Sequence, residues 1–261
     1  MTPRAFLLRG LLVGLVAGAL AFVVASLVGE PYVERAIAIE ESSAAHAHIG
    51  DEAGHEPARH EHSEEAPVPR DDQRTWGLAT GTLAIGVTYG GIAALAAAGA
   101  VGRLGRLGAR QSTALVALLG FVSTVLLPFL KYPANPPSVG NPDTIGSRTG
   151  DYFAMQLICV AGVVLAVLLA VRLARRLGGF EATVAAGATY LAVIVGAALL
   201  LPTVDEVGDF PADLLWSFRV SSLMTSATLW ATIGIGLVAL VGRLHDRVVA
   251  DSERRALAAA L

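Results

Sequence analysis

The sequence is poor in the residues on which most soluble enzymes depend. Only 16% of its 261 residues are charged, whereas soluble domains carry about 25%. Its one cysteine, Cys159, excludes an intramolecular disulfide and a zinc site built from several cysteines. Its one lysine, Lys131, does not belong to a glycine-rich phosphate loop, so the chain has no P-loop. A net charge of -3 gives no reason to propose binding to nucleic acid.

Motifs of common enzymes are also missing. The sequence contains no G-x-S-x-G, no H-E-x-x-H and no C-x-x-C. Five of its six histidines lie in one polar segment without a plausible nucleophile nearby. We therefore expect a protein that is not an enzyme and has no cofactor.

Long apolar runs account for about half of the chain. Crossing a bilayer takes about 20 apolar residues, and the sequence contains six such runs. It predicts an all-α integral membrane protein, a six-transmembrane-helix bundle in which residues 1–261 form a single membrane domain. Arginine clusters near residues 103, 175 and 243 are also compatible with three helical hairpins. The predicted spans are Phe6–Val28, Trp76–Val101, Thr113–Leu130, Tyr152–Val171, Ala182–Leu201 and Val220–Val241.

The distribution of arginine predicts the orientation. With a cytoplasmic N-terminus, the inner segments hold 12 of the 19 basic residues, and these residues cluster at the inner ends of the spans. Segments rich in lysine and arginine stay in the cytoplasm. We therefore expect a multi-pass protein of the cell (inner or plasma) membrane with both termini in the cytoplasm.

The predicted outer segment 29–75, between spans 1 and 2, is rich in histidine and acidic residues. Imidazole suits late first-row divalent metals, and carboxylates add charge neutralisation. Alanine, glycine, proline and acidic residues around the histidines predict a flexible loop, which would capture metal weakly. A solvated polar loop without a metal role is the alternative. The candidate metal ligands are His46, His48, His55, His60 and His62.

Further oxygen ligands lie close to the predicted outer helix ends. We expect five of them to meet at one outer rim and to form the entrance for a cation: Glu30, Asn135, Asp143, Asp205 and Glu206. The competing interpretation is that these acids only neutralise Arg35, Lys131, Arg148 and Arg219. Arg219 lies slightly inside the apolar zone, where a charge is usually paired. Its candidate counter-ions are Asp205, Glu206, Asp209 and Asp213.

Several outer segments have a distinctive sequence. They are Gly29-Glu30-Pro31, Lys131-Tyr132-Pro133-Ala134-Asn135-Pro136-Pro137, Asp143-Thr144-Ile145-Gly146 and Leu215-Trp216-Ser217-Phe218-Arg219. In these segments, and over nearly the whole chain, the sequence resembles the CbtA family of predicted cobalt transporter subunits. The resemblance implies cobalt import linked to cobalamin supply, and a small His-containing partner, CbtB, expected to span the membrane once.

The residues alone indicate only a divalent metal. Nickel and zinc stay open as cargo, because affinity follows the metal more than the site. A membrane subunit that senses metal or acts as a scaffold, without transport, is the alternative from a different functional class.

Overall fold

The computed structural model describes the backbone of residues 2–50 and 68–260, and the side chains of residues 2–42 and 68–260. The described residues form helices and connecting segments without a strand. Six helical segments are long and apolar enough to cross a membrane, which confirms the predicted fold class. We number the helices α1 (Pro3–Val24), α2 (Glu30–Gly50), α3 (Arg70–Ala100), α4 (Ala109–Lys131), α5 (Ile145–Leu177), α6 (Gly179–Leu200) and α7 (Ala212–Ala259).

Helices α1 and α2 form one continuous rod through a π-helical turn at Ala25–Gly29. The polar segment 29–75 is therefore helical at both ends, because α2 extends to Gly50 and α3 begins at Arg70. Alanine and glutamate, which favour helix, are frequent in α2. Two ion pairs join α2 to α3: Arg70 Nη2 lies 2.5 Å from Glu30 Oε2, and Arg74 Nη1 lies 3.0 Å from Glu34 Oε1.

Helices α1 and α3 pack backbone against backbone. A Cβ atom added to Gly14 would lie 2.2 Å from the carbonyl oxygen of Gly86, and one added to Gly10 would lie 2.3 Å from that of Gly90. Only glycine permits this separation. Small residues allow helices to approach closely in lipid, where the hydrophobic effect does not drive them together.

Helix α7 occupies the centre of the bundle and packs against α1 and α4. Its buried side chains Trp230, Ile233, Leu237 and Val241 belong to the main apolar core. Helices α5 and α6 form a hairpin at the edge, where Leu199 and Leu200 are more than four-fifths exposed. The largest interfaces pair α1 with α3, α5 with α6 and α1 with α7. Two of the three pairs are therefore hairpins of consecutive spans.

Candidate functional site

The segment 132–144 between α4 and α5 carries four prolines and lies against two other parts of the bundle. Ser138 has a positive φ of 70°, uncommon for a residue with a side chain. Its hydroxyl lies 3.1 Å from the carbonyl oxygen of Ala36 and 3.1 Å from Glu40 Oε2, both on α2. The tertiary contact to α2 therefore accompanies the unusual backbone conformation.

Glu206, in the segment between α6 and α7, holds the start of α5 in place. Its Oε2 atom accepts hydrogen bonds from the Asn141 amide at 2.9 Å and from the Thr144 hydroxyl at 2.8 Å. Arg148 Nε lies 3.4 Å from the same oxygen, an ion pair without hydrogen-bond alignment. The bond from the Asn141 amide, the bond from Thr144 and the charge of Arg148 together lower the pKa of Glu206. The Glu206 carboxylate is therefore engaged by groups of the protein.

Arg219, in the second turn of α7, binds neutral oxygens. Its Nη2 donates to Asn135 Oδ1 at 2.8 Å, and its Nε donates to the carbonyl oxygen of Ala134 at 3.3 Å. Among residues 2–42 and 68–260, no carboxylate lies within 4 Å of its guanidinium. The prediction that an acidic residue pairs with Arg219 is therefore wrong for the described residues. The segment 132–144 supplies a carbonyl oxygen and an amide oxygen in place of a carboxylate.

Lys131, at the end of α4, also has neutral neighbours. Its ammonium lies 5.6 Å from the centre of the Tyr132 ring and 3.5 Å from the Thr203 hydroxyl. The Tyr132 hydroxyl donates to the carbonyl oxygen of Pro202 at 2.7 Å, which ties the 132–144 segment to the 201–211 segment. Both connecting segments are thus held together above the helices.

A cavity of about 610 Å³ lies beneath these two segments. Its charged lining residues are Lys131, Arg148, Glu206 and Arg219. Along α7 the lining continues from Arg219 through Ser222 and Ser226 to Trp230. Eleven residues of helix correspond to about 16 Å, roughly half of a hydrocarbon core of about 30 Å. The other polar or aromatic lining residues include Tyr89, Thr124, Phe129, Tyr132, Asn135, Thr149 and Tyr152.

The cavity is polar near the connecting segments and aromatic at its far end. There the rings of Tyr89 and Trp230 lie 5.4 Å apart, centre to centre. Trp230 is also part of the apolar core that closes the bundle below. The cavity therefore has polar side chains at the end near the connecting segments. Packed aromatic side chains close its other end, near the middle of the bundle.

The family model described as "Probable cobalt transporter subunit (CbtA)" matches residues 3–242. The chain belongs to the CbtA family. The match covers all six spans and confirms the resemblance read from the sequence. No curated protein and no solved structure matches the chain. The family description makes this chain a multi-pass membrane protein and a probable transporter subunit.

In this CbtA family member, two of the five predicted oxygen ligands lie together. Asn135 and Glu206 both line the cavity, while Glu30, Asp143 and Asp205 are not among its lining residues. Glu30 pairs with Arg70, and the backbone amide of Asp143 donates to the Asn141 side chain. The acids are thus spread over the ends of several helices and the segments that connect them.

The five histidines fall largely outside what can be described. His46 and His48 belong to α2, and their side chains are not described. His55, His60 and His62 lie outside the described residues. Among residues 2–42 and 68–260, no group of three histidine, cysteine or acidic side chains could hold a metal ion. The proposed metal capture by this segment stays a prediction.

Three residues line the cavity that were not predicted as site residues from the sequence: Tyr89, Ser222 and Trp230. One signal was present in α7. Arg219, Ser222 and Ser226 follow a helical spacing of three and four residues, so they share one face of the helix. No comparable pattern marks Tyr89, because its neighbours in α3 are small apolar residues.

Proposed function

We propose that this chain imports a divalent transition metal, cobalt, and that the 610 Å³ cavity is the outer part of the path. The main support is the position of the cavity in a chain of the CbtA family. It begins at the connecting segments and follows α7 for about 16 Å, between helices that are long enough to span a membrane. The link to cobalamin supply comes from the resemblance alone.

The proposed direction of transport is inward. With both termini in the cytoplasm, the cavity would face the outside, because its connecting segments 132–144 and 201–211 follow the third and the fifth span. An inside-negative potential of about 100 mV contributes about 4.6 kcal/mol for two positive charges, from about 2.3 kcal/mol per charge. Import of a free divalent cation down this gradient requires no ATP, in accord with the lack of a P-loop.

The proposed roles of the candidate ligands differ with position. The histidine segment would capture metal outside, with weak affinity and little selectivity. Asn135 and Glu206 would lie where the metal enters the cavity, because both line it. Glu30, Asp143 and Asp205 would raise the local metal concentration near the entrance through their charge. The word "subunit" in the family description supports a partner chain, for which a single-span CbtB-like protein is our candidate.

Uptake into vesicles tests transport. Purified chain, alone and with the partner subunit, is reconstituted, and accumulation of labelled cobalt is followed with an imposed inside-negative potential. Uptake that exceeds that of empty vesicles supports the proposal. Competition by nickel and zinc measures selectivity. Metal binding without uptake, with and without the partner, would instead assign a sensing or scaffold role.

Neutral isosteres test the entrance. If Glu206, Asp205 and Asp143 attract the metal, then Glu206→Gln, Asp205→Asn and Asp143→Asn lower uptake at limiting metal while the protein stays folded. If the acids serve only structure, uptake per folded molecule is unchanged and the melting temperature falls. Replacing all five histidines with alanine should reduce uptake at low metal and leave the maximal rate nearly intact.

A further inference from the structure

Several hydrogen-bond acceptors around the cavity are already engaged by donors of the protein. Among the described residues, Glu206 supplies the only carboxylate of the lining. One oxygen of that carboxylate accepts hydrogen bonds from Asn141 and Thr144 and forms an ion pair with Arg148. The oxygens of Asn135 and Ala134 are engaged by Arg219. A bare metal ion needs lone pairs from oxygen, nitrogen or sulfur. Such lone pairs are scarce where the cavity is most polar.

Positive charge is in excess in the same place. Lys131, Arg148 and Arg219 are cationic, and among the described lining residues only Glu206 carries a negative charge. Within the part of the chain that the structure describes, Lys131 and Arg219 lack any carboxylate within 4 Å. A positive potential repels a divalent cation and attracts an anion. An unpaired guanidinium near the membrane interior is costly, and an anionic ligand would lower this cost.

The indole N–H of Trp230 is a further hydrogen-bond donor at the cavity. The Trp230 side chain is 6% exposed, it lines the cavity, and its indole N–H has no hydrogen-bond partner among the described residues. Buried polar atoms are rarely left without a partner. Ser222 and Ser226 add hydroxyl groups along the same face of α7. The lining therefore suits a ligand with many acceptor oxygens.

The size of the cavity fits an organic ion. Pockets for small organic ligands have volumes of about 300–1,000 Å³, and this cavity measures about 610 Å³. A single dehydrated metal ion needs far less space. Arginine binds carboxylates through two parallel hydrogen bonds, which lysine supplements as a point charge.

We propose that the cavity binds a small polycarboxylate anion, with Arg219 and Lys131 as its principal charged partners. The biological role of this binding rests on the proposed transport function, whereas the binding itself does not depend on it. The polycarboxylate either arrives as a ligand of the transported metal or binds alone and shields the metal from Arg219 and Lys131. Both sources share the same contacts, and different measurements separate them.

Calorimetric titration of the purified full-length chain with citrate tests the binding. Three probes are compared: citrate with all divalent metal removed, cobalt alone, and the cobalt–citrate complex. Binding of free citrate indicates the shielding anion, and binding of the complex alone indicates the metal's ligand. Either result supports the proposal. Binding of cobalt alone, with citrate only removing it from the protein, would overturn it.

Three variants locate the binding. Arg219→Gln and Lys131→Gln should each weaken citrate binding by on the order of tenfold or more, the usual effect of losing a charge-assisted hydrogen bond. The matched control is Arg35→Gln, because Arg35 is an exposed cation on α2 outside the cavity lining. The affinity of the Arg35→Gln variant for citrate should equal that of the native chain. Equal weakening in all three variants would show a nonspecific charge effect and refute the site.

The variant Lys131→Gln keeps the proposal testable if Arg219→Gln does not fold. Arg219 holds the segment 132–144, so Arg219→Gln can lower stability, whereas Lys131 makes only a long contact with Thr203 and a ring contact. If Arg219→Gln does not fold, the citrate affinity of Lys131→Gln alone decides between the outcomes. An affinity equal to that of the native chain would overturn the proposal.

Transport measured in parallel separates the two proposals. Cobalt uptake without citrate binding retains the proposed function and removes this inference. Citrate binding without cobalt uptake retains the inference and removes the proposed function. Labelled citrate that enters together with cobalt identifies the complex as cargo, and labelled citrate that stays outside identifies the shielding anion.

Discussion

The two faces of α3 have opposite surroundings. Gly86 and Gly90 face α1, where added Cβ atoms would collide with backbone. Ile85 and Tyr89 line the cavity on another side of the same helix. The α1–α3 interface is tightly packed, whereas the cavity is open space lined by charged, aromatic and apolar side chains. We infer that the first interface provides a rigid scaffold, which allows an unfilled space to persist between α3, α4, α5 and α7.

The largest effect is expected at the scaffold. Gly14→Leu places a branched side chain where even a Cβ would lie 2.2 Å from the Gly86 oxygen. We expect a loss of about 3 kcal/mol of stability, the upper end of the usual cost of overpacking, seen as a sharply lower melting temperature and yield. Gly81→Leu is the control, because nothing lies within 4 Å of a Cβ at Gly81. Similar effects of both variants would contradict the scaffold role.

At the cavity, Asn135→Ala tests the neutral partner of Arg219. The variant removes the 2.8 Å acceptor and leaves the guanidinium with the Ala134 oxygen alone. We expect a loss of about 1.5 kcal/mol, typical of a hydrogen bond to a charged group, measured by thermal unfolding in detergent. Asn135→Asp keeps an acceptor and adds a counter-ion, so it should retain stability while weakening citrate binding. Equal stability of native chain and Asn135→Ala would show that the contact is dispensable.

Above the cavity, Tyr132→Phe removes the hydrogen bond that joins the two connecting segments. The Tyr132 hydroxyl lies 2.7 Å from the Pro202 oxygen. We expect a loss of about 1 kcal/mol, again measured by thermal unfolding. Tyr32→Phe serves as the control, because the Tyr32 hydroxyl makes no hydrogen bond within the described residues. A larger effect at Tyr32 would contradict this assignment.

The smallest effect concerns pH at the cavity. The lowered pKa of Glu206 means that its carboxylate stabilises the fold above the ordinary glutamate pKa of about 4.3. This contribution is lost as pH falls through the still lower pKa of the folded state. The melting-temperature difference between native chain and Glu206→Gln should therefore be constant from pH 7 to about pH 5 and shrink below about pH 4.3.

The control for the pH series is Asp209→Asn, because Asp209 has no ion-pair partner among the described residues. Its melting temperature should follow that of the native chain at every pH. A difference for Glu206→Gln that grows on acidification would reverse the sign expected from its hydrogen bonds.

Some parts of the structure could be predicted because they depend on short stretches of chain. Each of the six spans is apolar over its own length, and the family resemblance rests on contiguous segments such as 131–137. Helix ends were less predictable. The segment after Val28 is polar, yet α2 continues to Gly50, because polar residues that favour helix continue the rod outside the apolar zone.

The site depended on residues far apart in the chain. The partner of Arg219 was expected among the acids nearest in sequence, but it is Asn135, which is 84 residues away. The partner of Glu30 is Arg70, which is 40 residues away. The partner of each charged side chain depends on which helices become neighbours. The residue types alone do not determine this.

The sequence by itself determined the membrane class, the six spans and the family, because hydropathy and motif identity are properties of local segments. Only the tertiary structure decided that Tyr89, Asn135, Glu206 and Arg219 surround one cavity. These residues come from two helices and two connecting segments, and their meeting depends on how closely the helices pack. Glycine contacts between α1 and α3 fix one such distance, and the bulky Trp230 between α4 and α7 fixes another.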